Sequence, residues 1–497
     1  MPENKPAATL DTPMLMRPKT PPRWATIPVP APVLPAVAVA GIAAAVLLPL
    51  DRPGVGWVLT GLAVVGAVVF ADRRTRNADT TTHYTRMSPV WAGAAILLLA
   101  AGFVRASEWL FVLCVLAAGV TGSIAAVGRR SAGSVLYEVI AVPVEALRAV
   151  PWLGRALKQH AGGGDNDRRR RIAVSLLASA VLLAVFIPLL SGADAAFAHV
   201  MSSLLPDLDE ESLAGWIFAF CLAGGSVAGA CYLLVSPLPA AAEEDTRRRL
   251  AHRMEWALPL GVLVALFVVF VGVQLVVLFG GTDYMLRTAG LTAADYARGG
   301  FWQLCAATVL TLALVGAALR WAPNSTRADR TWQRGLLGAL SALSLVLVAS
   351  ALSRMWTYQQ AYGFTVLRLL VEACELWLGA VFVLVIVSLV RLRPAWLPRA
   401  AVGAAAVALL ALVALDPERF IADRNIDRAE HGKPVDVWYL GGFSADVVPA
   451  AERLPEPARS CVLRAVLDGL DDDGWNAWNL SRSAARNVTD LRDTYSC

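Results

Sequence analysis

EWALPLGVLVALFVVFVGVQLVVLFG, residues Glu255–Gly280, runs for 26 residues with one charge, at its first position. A helix crossing the hydrocarbon core of a bilayer needs about 20 mostly apolar residues, and this stretch supplies them. Gln274, deep inside it, reads as an interhelical hydrogen-bonder. Runs of the same kind precede it at Val33–Leu50, Gly54–Ala71, Pro89–Val104, Ser107–Val127, Ile172–Ser191 and Leu213–Ser236. Others follow at Phe301–Leu319, Gly335–Ser353, Arg368–Val390 and Ala400–Leu415, which makes eleven. Small residues at close spacing, as in Gly41–Ala45 and Gly224–Ala230, let such helices approach one another.

The composition of the whole chain agrees. Of its 497 residues, 57% are hydrophobic and 17% charged, against about 45–50% and about 25% in soluble domains. Eleven long apolar runs would leave a soluble protein without a polar surface, so a water-soluble enzyme of ordinary composition is excluded. The expected fold is all-α: a polytopic transmembrane helical bundle of about eleven spans with a small helical C-terminal domain.

Arginine and lysine give the orientation. With the N-terminus inside, segments 1–32, 72–88, 128–171, 237–254, 320–334 and 391–399 hold 28 of the 44 Lys/Arg residues. The outside loops hold six and the tail after residue 415 holds ten. This split follows the positive-inside rule and predicts N-in, C-out. The net charge of +5 therefore reports orientation rather than a nucleic-acid partner.

Five regions follow. Residues 1–32 read as a disordered cytoplasmic tail, since ten of the 28 prolines fall in the first 35 residues. Residues 33–127 form a four-span unit. Segment 128–171 is a cytoplasmic loop in which Val135, Leu136, Val139, Val142, Leu147, Val150 and Leu153 recur at roughly helical spacing, accompanied by Arg148, Arg155 and Lys158. That pattern predicts an amphipathic helix on the anionic inner leaflet. Residues 172–415 form a seven-span core. The segment 416–497 carries 15 Asp/Glu against 10 Lys/Arg and is an extracytoplasmic domain, with Val462, Val466, Leu467 and Leu470 at helical spacing. Cys461 and Cys497 lie in this segment, in an oxidising compartment by the predicted topology, and are candidates for a disulfide.

Signatures of soluble enzymes are missing: the chain has no GxxxxGK[ST], HExxH, GxSxG or CxxC. Asp471–Asp473 before Gly474 lacks EF-hand spacing and reads as a solvated turn. Asn479-Leu-Ser matches a glycosylation sequon, a pattern common by chance. Neither catalysis nor a metal or other cofactor is expected.

Ionisable groups at the spans say more, because each costs several kcal/mol in hydrocarbon unless paired or wet. Arg368, Glu372 and Glu375 sit at i, i+4 and i+7 on one helical face, and Arg354, Tyr358 and Tyr362 share another. Tyr296 and Arg298 lie on the same side in the predicted topology. Two readings stay open. Glu372 and Glu375 are proton or cation sites in a cavity open to the outside, with Glu375 the deeper one. Alternatively, Arg368 or Arg354 pairs with Glu372 to hold helix ends together.

Five stretches carry a resemblance. They are LLSGADAAFA (Leu189–Ala198), FGGTDYMLRTAGLTAADYARGGFWQL (Phe279–Leu304), SALSRMWTYQQAYGFTVLRLLVEACELWLG (Ser350–Gly379), DPERFIADRNIDRAEHGKPVDVWYLGGFSADVVPA (Asp416–Ala450) and DGWNAWNLSRSAAR (Asp473–Arg486). With them the chain resembles bacterial integral-membrane proteins grouped as domain of unknown function 4173, related to the broader group numbered 4153. The resemblance implies a multi-pass protein of the bacterial plasma membrane, with no activity attached. It departs at Glu375, where such proteins carry apolar or aromatic residues. The blocks Tyr296–Phe301 and Arg354–Tyr358 and the string Asp416, Arg424, Asn425 and Arg428 are expected to converge and dock the tail. The functional expectation is transport or flipping of a small or lipidic solute, with a membrane scaffold or signalling component bearing an exported sensor tail as the alternative. The bilayer is the expected partner. No protein partner or solute can be read from the residues.

Overall fold

The computed structural model describes residues 23–78, 87–128, 135–160, 190, 194, 210–236, 253–279, 301–323, 326–391, 394–470 and 472–488. The first half of these residues holds helices α1 (Val33–Leu47), α2 (Val55–Ala78), α3 (Pro89–Leu99), α4 (Glu108–Val127), α5 (Val135–His160) and α6 (Glu210–Val235). Then come α7 (Arg253–Phe279), α8 (Phe301–Trp321), α9 (Arg327–Tyr362), α10 (Val366–Arg391) and α11 (Leu397–Leu415). The C-terminal domain holds α12 (Pro417–Glu430), α13 (Val437–Gly441), α14 (Ala458–Asp468) and α15 (Leu480–Ala485). Among the described residues there is no strand.

Eight of these helices, α2, α4 and α6 to α11, are long and apolar enough to cross a membrane, and Val33–Leu47 and Pro89–Val104 are shorter apolar helices. The chain is therefore an integral membrane protein with many spanning helices. The remaining expected run, Ile172–Ser191, lies almost wholly outside the described residues.

Helix α9 is the longest. Its 36 residues rise about 54 Å, well beyond the ~30 Å hydrocarbon core, so it extends past the expected run at both ends. A capping box starts it: the Thr326 hydroxyl accepts from the Asp329 amide while the Asp329 carboxylate accepts from the Thr326 amide. Gly363 ends it at φ +90°, a left-handed position that suits glycine.

Helices α1, α2, α4, α5 and α6 share one apolar core, and α7 to α10 share another. A third links α3, α4 and α11 to Phe364, Leu369 and Ile421. The C-terminal domain has its own, centred on Leu440, Val447, Val462 and Leu463, and Ala106 before α4 joins it. This domain marks one end of the bundle, called here the tail end.

Helix α5 lies at the opposite end and has a buried face that spacing did not single out. It buries Ala141, Ala149, Trp152 and Ala156 together with Glu138 and Glu145. Glu138 is paired with Arg399 at 2.8 Å, and Glu145 accepts from the Tyr137 hydroxyl. Close approach requires Gly229 of α6, where a Cβ would sit 2.5 Å from the Val142 carbonyl. Leu147 and Val150, taken from spacing as part of the apolar face, are 76% and 66% exposed. Residues before α1 pack here too: the carbonyls of Ala25 and Ile27 accept from Arg155, and that of Ile27 also from Trp152.

Candidate functional site

The acids singled out from spacing lie on α10. Glu375 is 2% exposed, faces Cys305 of α8, and its Oε2 has no hydrogen-bond partner among the described residues. Glu372 approaches Gln359 of α9, a fully buried side chain whose amide atoms make no well-formed hydrogen bond. Arg368 turns away from both acids. Its guanidinium donates to the Gly363 carbonyl and stacks over the Tyr358 ring at 4.5 Å, and Tyr358 packs on Tyr362. Arg354 is half-buried on α9 and has an interaction partner. Tyr296 and Arg298 lie outside the described residues.

At the tail end, polar side chains from distant segments converge. Asn425 of α12 treats the α9–α10 turn as a strand would. Its Oδ1 accepts from the Phe364 amide at 2.8 Å, and its Nδ2 donates to the Phe364 carbonyl at 2.9 Å. Arg428 donates to the Gln360 and Ala361 carbonyls, and the Tyr439 hydroxyl accepts from the Val366 amide. Burial pushes that hydroxyl's pKa up. Arg424 stacks on Phe420 instead.

Two acids hold the start of α4. Asp446, 2% exposed, accepts from the Ala106 and Ser107 amides at 3.0–3.1 Å. The Ser107 amide is the N-cap donor of α4 and that of Ala106 lies just before it, at the positive end of the helix dipole, and both are satisfied by a residue about 340 positions away in sequence. Glu418 accepts from the Trp109 indole and from the Ser444 amide and hydroxyl. Burial raises its pKa, partly offset by those donors.

Asp416 joins α11 to α12 in the left-handed region, φ 59°, where residues other than glycine are uncommon and aspartate is among those best tolerated. Its Oδ2 accepts from Arg105 at 2.6 Å, while Oδ1 is buried without a hydrogen-bond partner among the described residues. Burial and the nearby Asp446 raise its pKa to about 6 against the pull of Arg105 and Arg419. These four side chains line a cavity of about 530 Å³ at the tail end.

A third clamp surrounds Asp473. Rather than sitting in a solvated turn, it accepts from Arg482 Nε at 3.0 Å and is paired with Arg486 at 3.0 Å, its side chain 2% exposed. Arg482 also donates to the Pro53 and Ala477 carbonyls. Asn479, noted only as a sequon, is fully buried and donates to the Gly102 and Arg105 carbonyls. Cys461 is disulfide-bonded, and Cys497 lies outside the described residues.

Spacing did not point to Arg105, Glu418, Asp446, Asp473 or Arg482. Arg105, Glu418 and Asp446 find partners in distant segments, and the local sequence around them carries no signal of it. Among the described residues no cluster of His, Cys, Asp and Glu could hold a metal ion.

A family model described as "Domain of unknown function (DUF4153)" matches residues 93–454. No curated protein and no solved structure matches the chain.

Proposed function

The chain belongs to the DUF4153 family, and from that premise we propose a carrier that moves a small or lipidic solute across a bacterial plasma membrane. In this reading it has eleven spans with the N-terminus inside and the C-terminal domain outside, and Glu375 is its proton or cation site. The narrower group 4173 is supported by the five sequence blocks. The observation that carries the reading is Glu375 itself, 2% exposed with an unpartnered Oε2 on a helix apolar enough to span. An ionisable side chain in that position costs about 2.5–3.5 kcal/mol on insertion scales. A purely structural role would call for partners on both oxygens, whereas Cys305 faces the carboxylate and Oε2 has none among the described residues. Glu372, one turn away and facing Gln359, is the second carboxyl of the path.

Labelling with a hydrophobic carbodiimide, which adds to protonated carboxyls, tests this on the full chain in lipid vesicles. The expected result is an adduct on the Glu375 peptide that fades as pH rises and is absent in Glu375→Gln. Lack of labelling at every pH in a folded wild-type protein rules the proton site out.

One observation favours a second reading, a scaffold or signalling component. Asn425, Asp446 and Arg482 tie the C-terminal domain to the bundle through backbone groups, which would transmit a tail-bound signal. Under it Glu375 stays unlabelled.

A further inference from the structure

The first half of the bundle contains a slot that the carrier reading does not use. Helices α2, α4 and α6 leave between them a cavity of about 360 Å³, lined almost wholly by apolar and small side chains. The lining runs from Trp57 to Val68 on α2, Val115 to Ala126 on α4 and Ala219 to Ala230 on α6. Each stretch rises about 16 Å, roughly half the hydrocarbon core. Trp57, Val115 and Leu116 also line a second cavity of about 330 Å³, with Asp51, Arg52 and Glu108 around it at the tail end. The two cavities therefore meet end to end, with Trp57 held at the junction by Phe111 (centroids 5.2 Å apart) and by its indole N–H on the Pro49 carbonyl.

Polarity changes in order down this slot. At the mouth, Glu108 is exposed and makes no ion pair among the described residues, while Arg52 is paired with Asp51 at 2.6 Å and with Asp473 at 3.7 Å. One turn below Trp57 comes Thr60, 8% exposed, whose Oγ1 has no hydrogen-bond partner among the described residues. The other lining hydroxyls, Ser123 and Ser226, donate to the Glu138 and Leu222 carbonyls. A buried hydroxyl left unpaired is costly, so Thr60 marks where a ligand acceptor fits. Below it the walls are apolar apart from Ser123 and Ser226, whose hydroxyls are already engaged.

We propose that this slot binds one phospholipid of the tail-side leaflet with a zwitterionic, ammonium-bearing headgroup. Its acyl chain lies between α2, α4 and α6, an ester carbonyl accepts from Thr60, the phosphate meets Arg52 and the ammonium meets Glu108. The site is independent of Glu375.

The test uses the full chain in nanodiscs containing phosphatidylethanolamine or phosphatidylglycerol with a photoactivatable group on the acyl chain. Cross-linked peptides are compared with the exposed α7 face around Val262, Leu266 and Val269, which reports bulk lipid. Phosphatidylethanolamine is expected to label the Val115–Ala126 peptide at least fivefold above that reference, and above phosphatidylglycerol. A Cβ at Gly119 or Gly122 meets open space, so Gly119→Leu and Gly122→Leu fill the slot and should each remove the excess. Glu108→Gln should erase the headgroup preference while leaving chain labelling in place. Labelling equal to the α7 reference, or excess labelling that survives in a folded glycine variant, overturns the proposal. So does wild-type protein that labels equally with both headgroups.

Discussion

Asp446 and Glu375 are equally hidden, each 2% exposed, but their surroundings differ. Both oxygens of Asp446 accept from backbone amides at a helix start. Glu375 has an oxygen with no partner among the described residues. A buried acid surrounded by oriented donors behaves as a structural rivet, because burial costs little once each lone pair is used. A buried acid without them is expensive and is kept where it does something. The tail end thus reads as anchoring, while the α10 region holds the acid on which the proposed function rests.

The largest expected effect tests the rivet. Asp446→Ala leaves the Ala106 and Ser107 amides without acceptors inside the junction and removes a negative charge from a helix N-terminus. Such losses sum to about 3–4 kcal/mol. Thermal unfolding in detergent and protease sensitivity of the C-terminal domain would read it. Asp446→Asn, which keeps one acceptor oxygen, should lose less. If Asp446→Ala leaves both measurements unchanged, the contrast with Glu375 collapses.

Asp416 is the exception that sharpens the contrast, since one of its oxygens lacks a hydrogen-bond partner even at the tail end. Its pKa is about 6 in the folded protein, against about 3.9 for an unfolded aspartate. Between those values the folded state binds more protons, so stability is greatest below about pH 4 and falls as pH rises toward about 6. The size is about 2–3 kcal/mol at most. Glu418, also raised, tilts the curve the same way. Asp416→Asn should flatten this dependence between about pH 4 and about pH 6, read as melting temperature against pH. A mutant curve parallel to the wild-type one would place the titration elsewhere.

The spanning helices were legible because apolar length is a local property. The run Ser107–Val127 became the helix Glu108–Val127, and the helical spacing around Val462 and Val466 became α14 with both buried. The rivets were not legible. Asp446 caps a helix about 340 residues earlier, and Asp473 meets Arg52 across more than 400 positions. No local pattern separates such acids from solvated ones. Spacing gave the helix α5 and apolar residues such as Leu147 and Val150 that it leaves exposed, but not the second face, on which small Ala141 and Ala149 fit against α6. At the candidate site, spacing placed Glu372 and Glu375 on one helix but could not show that Arg368 spends its donors on the Gly363 carbonyl.

The smallest expected effect separates charge from burial. Arg453 pairs with Asp423 at 2.7 Å and Asp427 at 2.6 Å and lies 3.6 Å from Glu430. By contact geometry it rivals the Asp473 clamp. Its side chain, however, is 42% exposed, so water and salt screen these pairs and ordering the long side chain offsets much of the gain. Exposed pairs contribute about 0–1 kcal/mol, and the three here share one guanidinium. Arg453→Ala should therefore shift the melting temperature by no more than a degree or two, about 0.5 kcal/mol, and the shift should vanish at high salt. A loss comparable to that of Asp446→Ala, undiminished by salt, would mean that charge pairing holds the C-terminal domain together. Capping of buried backbone donors would then not be what anchors it.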